Sequence, residues 1–255
     1  MQVSLITCTL NSERTIKNCC LCISAQSLKT LEHIIIDNQS KDQTIQIANQ
    51  FKINNQKIIQ QKSNGIYGAL NEGLKIAQGE IVGLLHSDDE FIDQEFLKEM
   101  VSIFTNNNVD VFFSNLFYTK KNDTNKIIRK WISNIPEGLQ KNEEIQKKIS
   151  NGWMPPHTTI FFKKSLLEKV GYYDENFKIS SDYDFIIRLL RIDNINIYFQ
   201  NKFTLKMRLG GTSNRGIKNI IFKMKEDYKI MKKNSLNPLK TIFLKNISKI
   251  KQFFI

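Results

Sequence analysis

The first 90 residues alternate between short apolar runs and amphipathic segments. The apolar runs have the length and composition of buried strands, and they lie at 2–10, 31–36, 57–60 and 80–85. The segments between them repeat apolar positions at helical spacing, which predicts helices at about 11–27, 42–51 and 65–79. This alternation predicts right-handed crossovers and an α/β fold, with a doubly wound, mostly parallel sheet that carries helices on both faces.

The third helix and the fourth strand form the unit around which we expect the chain to be organised. Ala69, Gly73 and Ala77 lie four residues apart, so a stripe of small side chains can pack closely against a sheet. The strand that follows leads into Asp88 and Asp89. Ligands bind at the carboxyl ends of strands in such sheets, and two adjacent carboxylates repel each other unless a cation lies between them. We therefore expect a divalent metal at this position.

The regular alternation ends after residue 117. A helix at 93–106 and a strand at 109–117 still continue it. The stretch 119–152 is polar and rich in Lys and Asn, and we interpret it as an excursion over the mouth of the site. Beyond it the pattern predicts a turn into a strand at 153–162, a helix at 182–192, and two strands at 195–199 and 204–209.

Charge is concentrated at the C-terminal end. The chain carries a net charge of +12, and residues 216–255 contain ten lysines and two acids, which give +8 of that total. The remaining body is only weakly basic and lacks aromatic RNA-binding motifs, so we expect no nucleic-acid partner.

The tail itself predicts a basic amphipathic helix. Its lysine flanks favour an anionic membrane surface, and the alternative is a helix packed on the domain with its lysines in solvent. The apolar face consists of Leu239, Phe243, Ile247, Ile250 and Phe254, flanked by Lys240, Lys245, Lys249 and Lys251.

Two features bear on the compartment. Cys8, Cys19, Cys20 and Cys22 have neither zinc-knuckle nor disulfide-framework spacing, so we interpret them as reduced, structural thiols. Met1 leads directly into a strand without a basic region, and no apolar run reaches the ~20 residues of a membrane span. We therefore expect a cytoplasmic protein without a signal peptide.

Five motifs stand out along the chain: Ile6-Thr-Cys-Thr-Leu-Asn11, Ile36-Asp37-Asn-Gln-Ser40-Lys-Asp42-Gln-Thr44, Gly65-Ile-Tyr-Gly-Ala-Leu-Asn71-Glu-Gly73, Ser87-Asp88-Asp89 and Ser181-Asp182-Tyr-Asp184. Together they resemble those of the inverting glycosyltransferases of family 2, which have the GT-A fold. They appear in the family's order between Met1 and Ser213. The segment at 65–73 is similar to the subgroup that builds bacterial surface polysaccharides such as O-antigen and capsule, although that subgroup usually has Asp at Gly68 and Asp or Asn at His86.

The resemblance implies a domain organisation and a reaction. A GT-A domain would occupy 1–213, with a nucleotide-sugar half at 1–117 and an acceptor half at 118–213, followed by the tail at 214–255. The implied donor is a nucleotide-diphosphate sugar, with a UDP-sugar expected. The implied acceptor is a glycan, expected to be lipid-linked, at the inner face of the plasma membrane.

The resemblance also assigns roles to residues. Asp88 and Asp89 form the implied metal site: one carboxylate would bind Mg²⁺ or Mn²⁺, and the other would bind the ribose or the metal's water shell. The alternative from the residues alone is a helix N-cap. For Asp37 the alternative is a turn that supports residues 38–40, and for Tyr67 and Asn71 it is capping and rim packing. The residues expected to bind the nucleotide sugar are Thr7, Thr9, Asn11, Asp37, Tyr67, Asn71 and Asp88.

Two acids open the helix at 182–192. Asp184 is four residues before Arg188 and can pair with it on the helix surface, whereas Asp182 aligns with the buried stripe. Partial desolvation suits a general base, so we predict that Asp182 deprotonates the acceptor hydroxyl. Alternatively, both acids stabilise the helix N-terminus.

Further candidates for acceptor or diphosphate contacts are His157, Asp184, Gly211 and Arg215. For His157 the alternative is a core histidine without a ligand. For the segment Gly210-Gly211-Thr-Ser213 the alternative is a plain turn. Two other functions stay open at this point. One is a sugar nucleotidyltransferase, although its glycine-rich loop after the first strand is missing. The other is a basic lipid- or nucleic-acid-binding module without catalysis.

Overall fold

The computed structural model describes residues 1–210 and 216–251. The strands β3, β2, β1 and β4 lie side by side in that order, and each pairing is parallel. This half of the sheet confirms the alternation predicted for the first 90 residues. Its elements are β1 (Val3–Thr9), α1 (Ile16–Ser24), β2 (Leu31–Asp37), α2 (Thr44–Gln50), β3 (Gln56–Gln60), α3 (Gly65–Ile76) and β4 (Ile81–Leu84).

The second half extends the same sheet with mixed strand directions. Strand β9 lies antiparallel between β4 and β6, while β10 pairs with β6 in parallel. The full order is β3-β2-β1-β4-β9-β6-β10-β5, with β7 on β6 and β8 on β10. The added elements are β5 (Glu90–Phe91), α4 (Phe96–Asn106), β6 (Val111–Lys120), β7 (Asp123–Trp131), β8 (Gly138–Gln140), α5 (Asn142–Ser150), β9 (Phe161–Lys163), α6 (Leu167–Val170), α7 (Ser181–Leu190) and β10 (Ile197–Arg208).

One predicted feature of this half was wrong, and one region has more strands than its sequence indicated. The polar stretch 119–152 contains β7, β8 and α5. Most residues of β7 are exposed, so its sequence lacks the apolar alternation that indicates a strand. The two strands expected at 195–199 and 204–209 are one strand, β10, whose register shifts around Phe203.

Helices cover both faces of the sheet. On one face α3 lies so close to β1 that a Cβ added at Gly73 would come within 2.5 Å of Ile6 Cγ2. The predicted stripe of small side chains therefore does allow close packing. On the other face α1 and α4 bury Cys19, Ile23 and Phe96 in a second apolar cluster. This arrangement confirms an α/β fold with helices on both faces.

Two helices, α8 (Gly216–Lys233) and α9 (Pro238–Lys251), follow the sheet, and α8 packs against α7 and α9. Ile230 and Met231 of α8 are fully buried. Lys245 of α9 is also buried: its Nζ lies 2.8 Å from Asp227 Oδ2 and 3.5 Å from the centre of the Tyr183 ring. Its predicted position on an exposed flank was therefore wrong.

The predicted apolar face of α9 is described only in part. Leu239 is 78% exposed, as that face requires. No helix within the described ranges combines the length and the apolar character needed to cross a bilayer. The side chains of Phe243, Ile247, Lys249, Ile250 and Lys251, and all of Phe254, lie outside the described residues.

Candidate active site

Predicted site residues from four of the motifs gather at the carboxyl ends of the parallel strands. Thr9 and Asp37 are register partners at the carboxyl ends of β1 and β2. Asp88 and Asp89 follow β4, and Asp182 lies in the first turn of α7. The topology thus brings together motifs that are far apart in the sequence, at the edge where ligands of open α/β sheets bind.

Asp37 and Asn11 join the loops after β1 and β2. The Asp37 carboxylate accepts hydrogen bonds from the Ser40 N–H, at 3.0 Å, and the Ser40 Oγ, at 2.6 Å. Asn11 has a positive φ of 48°, and its Oδ1 accepts the N–H of Lys41 at 2.8 Å. These bonds correspond to the turn that the sequence left as the alternative role of Asp37. Contact of either residue with a nucleotide stays a prediction.

Thr7 and Thr9 have different surroundings. Thr7 is fully buried, and its Oγ1 lies 3.0 Å from His33 Nε2. Thr9 is also buried, but its Oγ1 has no hydrogen-bond partner among the residues that the structure describes. Buried hydroxyls are normally hydrogen-bonded. Of the two threonines, Thr9 is therefore the one with a hydroxyl left for a ligand.

Asp88 and Asp89 differ in exposure. Asp88 is partly exposed, whereas Asp89 is 1% exposed and its Oδ2 has no hydrogen-bond partner within the described ranges. Burial raises the pKa of the Asp89 carboxyl well above its usual range, and the charge of Asp88 raises it further. The backbone and the guanidinium of Arg208 lower this pKa. A buried acid in this state favours any ligand that supplies positive charge.

Arg208, at the end of β10, was not predicted from the sequence. Its Nε donates to the Asp88 carbonyl at 3.0 Å, and its Nη2 lies 2.7 Å from Glu90 Oε1. Nη1 donates to the Lys121 carbonyl at 3.1 Å. One side chain therefore fixes the loop that carries the two acids. The sequence offered only a weak signal, an arginine two residues before Gly210.

The carboxylates of Asp88 and Asp89 fit a divalent cation that takes most of its other ligands from water and substrate phosphates. Within the described part of the chain, no three His, Cys, Asp or Glu side chains are arranged to hold a metal. Mg²⁺ commonly binds through one or two carboxylates and completes its shell with water and substrate phosphates. The unpartnered Oδ2 of Asp89 and the adjacent Asp88 supply such carboxylates.

Asp182 lies beside two stacked tyrosines. Its Oδ1 accepts the N–H of Tyr183 at 2.9 Å and lies 3.3 Å from the Tyr67 hydroxyl. That hydroxyl has one proton, which it donates to the Ile179 carbonyl at 2.6 Å and shares with Asp182 Oδ1. The Tyr67 ring stacks on Tyr173 with centroids 5.8 Å apart. Burial raises the pKa of the Tyr67 hydroxyl, so this shared proton stays on Tyr67.

Two histidines lie near this group. His157 Nε2 is 2.8 Å from the Tyr173 hydroxyl, and the His157 and His86 rings have centroids 6.3 Å apart. Burial lowers the pKa of both rings, for His157 to about 4, although the charge of Asp182 raises each. Both rings are therefore neutral at neutral pH. His157 is held as a core histidine would be, and its predicted contact with the acceptor stays a prediction.

Asp184 is not on the helix surface, so the predicted position was wrong. Its carboxylate is fully buried, and the pair with Arg188 is present, at 2.8 Å. Lys233 Nζ, at 3.3 Å, and Asn234 Nδ2, at 3.0 Å, complete its partners. Because α8 and the residue after it cover this side of α7, Asp184 stabilises the packing of the two helices. Nothing in this arrangement supports a contact with the acceptor.

Asn71 has its amide occupied within the protein. Its Nδ2 donates to the Tyr173 carbonyl at 2.9 Å and to Glu175 Oε1 at 2.8 Å, and its Oδ1 accepts the Tyr173 N–H at 2.9 Å. The residue therefore positions the segment that carries Tyr173. Its predicted contact with the nucleotide sugar stays a prediction.

Gly68, the departure from the family pattern on α3, has little space around it. A Cβ there would come within 2.5 Å of Ser63 Oγ and 3.3 Å of Glu175 Oε2. A larger residue would require Ser63 to move. Gly211 and Arg215, the remaining candidates, lie outside the described residues.

Glu226 is a second residue that the sequence did not indicate. It lies on α8 and is 5% exposed. Its carboxylate accepts three backbone N–H groups, from Lys178 at 2.7 Å and from Ile179 and Ser180 at 2.9 Å each. These residues directly precede α7, so a helix from the tail holds the segment that leads to Asp182. No local pattern could reveal this contact, because the partners are nearly 50 residues apart.

Comparison with known sequences gives two findings. The family model described as Glycosyl transferase family 2 matches residues 4–171. An uncharacterized glycosyltransferase of Methanocaldococcus jannaschii is 26% identical over 217 residues, which cover 83% of this chain and 72% of the relative.

Comparison with solved structures agrees. S. aureus TarS 1-349 in complex with UDP-GlcNAc has a TM-score of 0.73 at 20% identity, over 96% of this chain and 70% of that one. In the structure of the longer TarS chain, the match spans 39% of its length. The mannosyltransferase PcManGT from Pyrobaculum calidifontis, in complex with GDP-Man and Mn²⁺, has a TM-score of 0.63 at 16% identity, over 95% of this chain and 68% of that one. At these identities the likeness shows the fold, which is GT-A as predicted.

Proposed function

The chain belongs to glycosyl transferase family 2, and from that premise we propose that it transfers a sugar from a UDP-sugar to a lipid-linked glycan with inversion at the anomeric carbon. The product would be a bacterial surface polysaccharide such as O-antigen or capsule. Family membership supports this function over a sugar nucleotidyltransferase or a binding module without catalysis.

The observation that carries the proposal is the buried, unpartnered Asp89 carboxylate beside Asp88 at the end of β4. A nucleoside diphosphate is anionic, so it needs a cation between itself and these acids. A divalent ion bound by Asp88 and Asp89 would neutralise charge on the departing diphosphate. Support comes from the structural neighbours, since TarS 1-349 binds UDP-GlcNAc and PcManGT binds GDP-Man with Mn²⁺. Thr9 and Asp37 lie at the same edge, where they would contact the nucleotide.

Asp182 is the general base in this proposal. Both of its hydrogen bonds from described residues go to Oδ1, so Oδ2 is left to accept the proton of the acceptor hydroxyl. Tyr67 and the Tyr183 N–H fix the orientation of the carboxylate. Attack on the face opposite the departing diphosphate then inverts the anomeric carbon. Geometry of this kind is the first requirement of a general base.

A lipid-linked acceptor would place the enzyme at the inner face of the plasma membrane, attached peripherally through its tail. The basic composition of residues 216–255 supports this location, because anionic lipid attracts lysines.

Sugar transfer from a UDP-sugar to lipid-linked glycans tests the proposed function. The purified full chain is incubated with a UDP-sugar, Mn²⁺ and a bacterial lipid extract that contains lipid-linked glycans, and NMR determines the anomeric configuration of the product. We expect transfer with inversion by the wild type and its loss in Asp182→Asn, with unchanged UDP binding. Transfer with retention, or full activity of Asp182→Asn, would contradict the proposed mechanism.

A further inference from the structure

Helix α8 exposes a group of apolar side chains between residues 220 and 228, although Ile230 and Met231 near its C-terminal end are buried. Five side chains of this group are 41% to 50% exposed, whereas a helix that packs on a domain normally turns its apolar side inward. We call this surface the outer face of α8. It consists of Ile220, Ile221, Phe222, Met224 and Tyr228.

The charged side chains of α8 also differ between its two sides: the acids face the protein and lysines face solvent. Its two acids, Glu226 and Asp227, are 5% and 7% exposed and are bound within the protein, to backbone N–H groups and to Lys245. The exposed charged side chains beside the outer face are Lys225, Lys229 and Lys232. Over the part of α8 whose side chains are described, the surface exposed to solvent is therefore apolar and cationic.

We propose that the outer face of α8 docks on an anionic lipid bilayer. The inference rests on the proposed function for its membrane location, and it assigns docking to α8, whereas the sequence predicted docking through α9. Apolar side chains flanked by lysines are what an interfacial helix offers to acidic headgroups. A second copy of the chain fits less well, because two such faces would oppose lysine to lysine.

Cosedimentation with vesicles tests this assignment. The probes are vesicles of phosphatidylglycerol and phosphatidylcholine in equal parts, and vesicles of phosphatidylcholine alone. In the wild type we expect strong binding to the anionic vesicles and weak binding to the neutral ones. Reversal of three charges, in Lys225→Glu with Lys229→Glu and Lys232→Glu, should weaken binding to the anionic vesicles about a hundredfold. Ile221→Ser with Phe222→Ser should also weaken it.

A matched variant separates position from net charge. Lys29→Glu with Lys52→Glu and Lys147→Glu changes three exposed lysines elsewhere and has the same net charge. Equal loss of binding in both triple variants would overturn the proposal. So would loss in Leu239→Ser with binding retained in the α8 variants, or a dimer that Ile221→Ser with Phe222→Ser dissociates. UDP binding is measured in parallel, and its absence from the wild type would count against the proposed function alone.

A separate observation concerns the inner side of the same helix. The three N–H groups that Glu226 accepts belong to the residues immediately before α7, and one of these, Ile179, accepts the Tyr67 hydroxyl through its carbonyl. Tyr67 in turn contacts Asp182. We infer that Glu226 is a positioning residue for the general base, because it fixes both the start of α7 and the carbonyl that orients Tyr67.

Glu226→Gln tests this role. The glutamine has one acceptor oxygen in place of two, so it cannot bind all three N–H groups, and we expect kcat to fall at least tenfold with little change in KM for the donor. The control is Asp227→Asn, because Asp227 is equally buried but is paired with Lys245 on α9. It should lower stability without this loss of kcat.

Hydrogen exchange gives a second readout that does not depend on sugar transfer. The amides of Lys178, Ile179 and Ser180 should exchange faster in Glu226→Gln and at the wild-type rate in Asp227→Asn. Equal loss of kcat in the two variants, or unchanged exchange in Glu226→Gln, would overturn the inference. If the wild type transfers no sugar, the proposed function fails, and the exchange rates still report whether Glu226 holds this segment.

Discussion

The loop after β4 and the start of α7 each carry two acids, of which one is buried and one is partly exposed. At the start of α7 the buried acid is Asp184, and Arg188, Lys233 and Asn234 surround its carboxylate. In the loop after β4 the buried acid is Asp89, and its Oδ2 has no hydrogen-bond partner in the described chain.

The difference between these two buried acids separates a structural role, for Asp184, from a ligand-binding role, for Asp89. Both buried carboxylates lost their water on folding, and only Asp184 received a full set of replacements from the protein. A buried carboxylate with both oxygens bonded belongs to the packing, whereas one with an unbonded oxygen has a position left for a ligand. Burial alone therefore does not identify a functional acid.

Asp184→Asn should produce the largest effect. It leaves Arg188 and Lys233 beside a neutral amide, and breaking a buried ion pair by removing one partner costs about 3–5 kcal/mol. We expect the free energy of unfolding, measured by urea denaturation, to fall by that amount. Asp89→Asn is the matched variant, and its change should stay within about 1 kcal/mol, because the Oδ2 of Asp89 has no hydrogen-bond partner in the described chain to lose. Equal losses in the two variants would remove the distinction.

A titration extends the same logic to His157, which is partly buried and has no opposite charge paired to it in the described chain. Its pKa is about 4 in the folded protein and near 6.5 in the unfolded chain. As pH falls from 6.5 to 4, the unfolded chain binds a proton that the folded protein does not, so stability falls over that window. Measured by urea denaturation across these pH values, His157→Gln should lose less stability than the wild type, by about 1–3 kcal/mol.

His33 titrates in the same window, because burial lowers its pKa to about 4 as well. It is present in both proteins, so it does not affect the difference between them. Parallel pH profiles for the wild type and His157→Gln would show that His157 is protonated in the folded protein.

Lys233→Ala should have a small effect. Its side chain is 43% exposed, so its pairs with Asp174, at 2.7 Å, and with Asp184, at 3.3 Å, are screened by water. Partly exposed ion pairs contribute about 0.5–1 kcal/mol, and we expect a loss of that size in urea denaturation. A loss as large as that of Asp184→Asn would mean that Lys233, and not Arg188, is the main partner of Asp184.

The first 90 residues were predictable because their signals are local. The repeat of Ala69, Gly73 and Ala77 predicted close packing of α3, and Gly73 does lie against Ile6. The alternation of strands and helices likewise predicted a mostly parallel, doubly wound sheet, with Asp88 and Asp89 at the carboxyl end of one of its strands. Family-like motifs then added roles that no periodicity could supply.

The features that were missed depend on distant partners. Asp184 is buried because Lys233 and Asn234 cover it from about 50 residues away. Glu226 lies on the inward side of α8 because its carboxylate binds backbone N–H groups just before α7. No pattern of apolar residues indicates a buried acid of this kind. Strand β7 escaped prediction because most of its residues are exposed, so pairing with β6 alone defines it.

Calorimetric titration with UDP is the most direct test of the claim that Asp89 is a ligand site. Wild type and Asp89→Asn are titrated with UDP in the presence of Mn²⁺ and again with EDTA, and Asp184→Asn is included where it remains folded. We expect UDP to bind the wild type with Mn²⁺ only, to lose at least tenfold in affinity in Asp89→Asn, and to bind Asp184→Asn as it binds the wild type. Equal binding of UDP with Mn²⁺ and with EDTA, or unchanged binding in Asp89→Asn, would contradict the account.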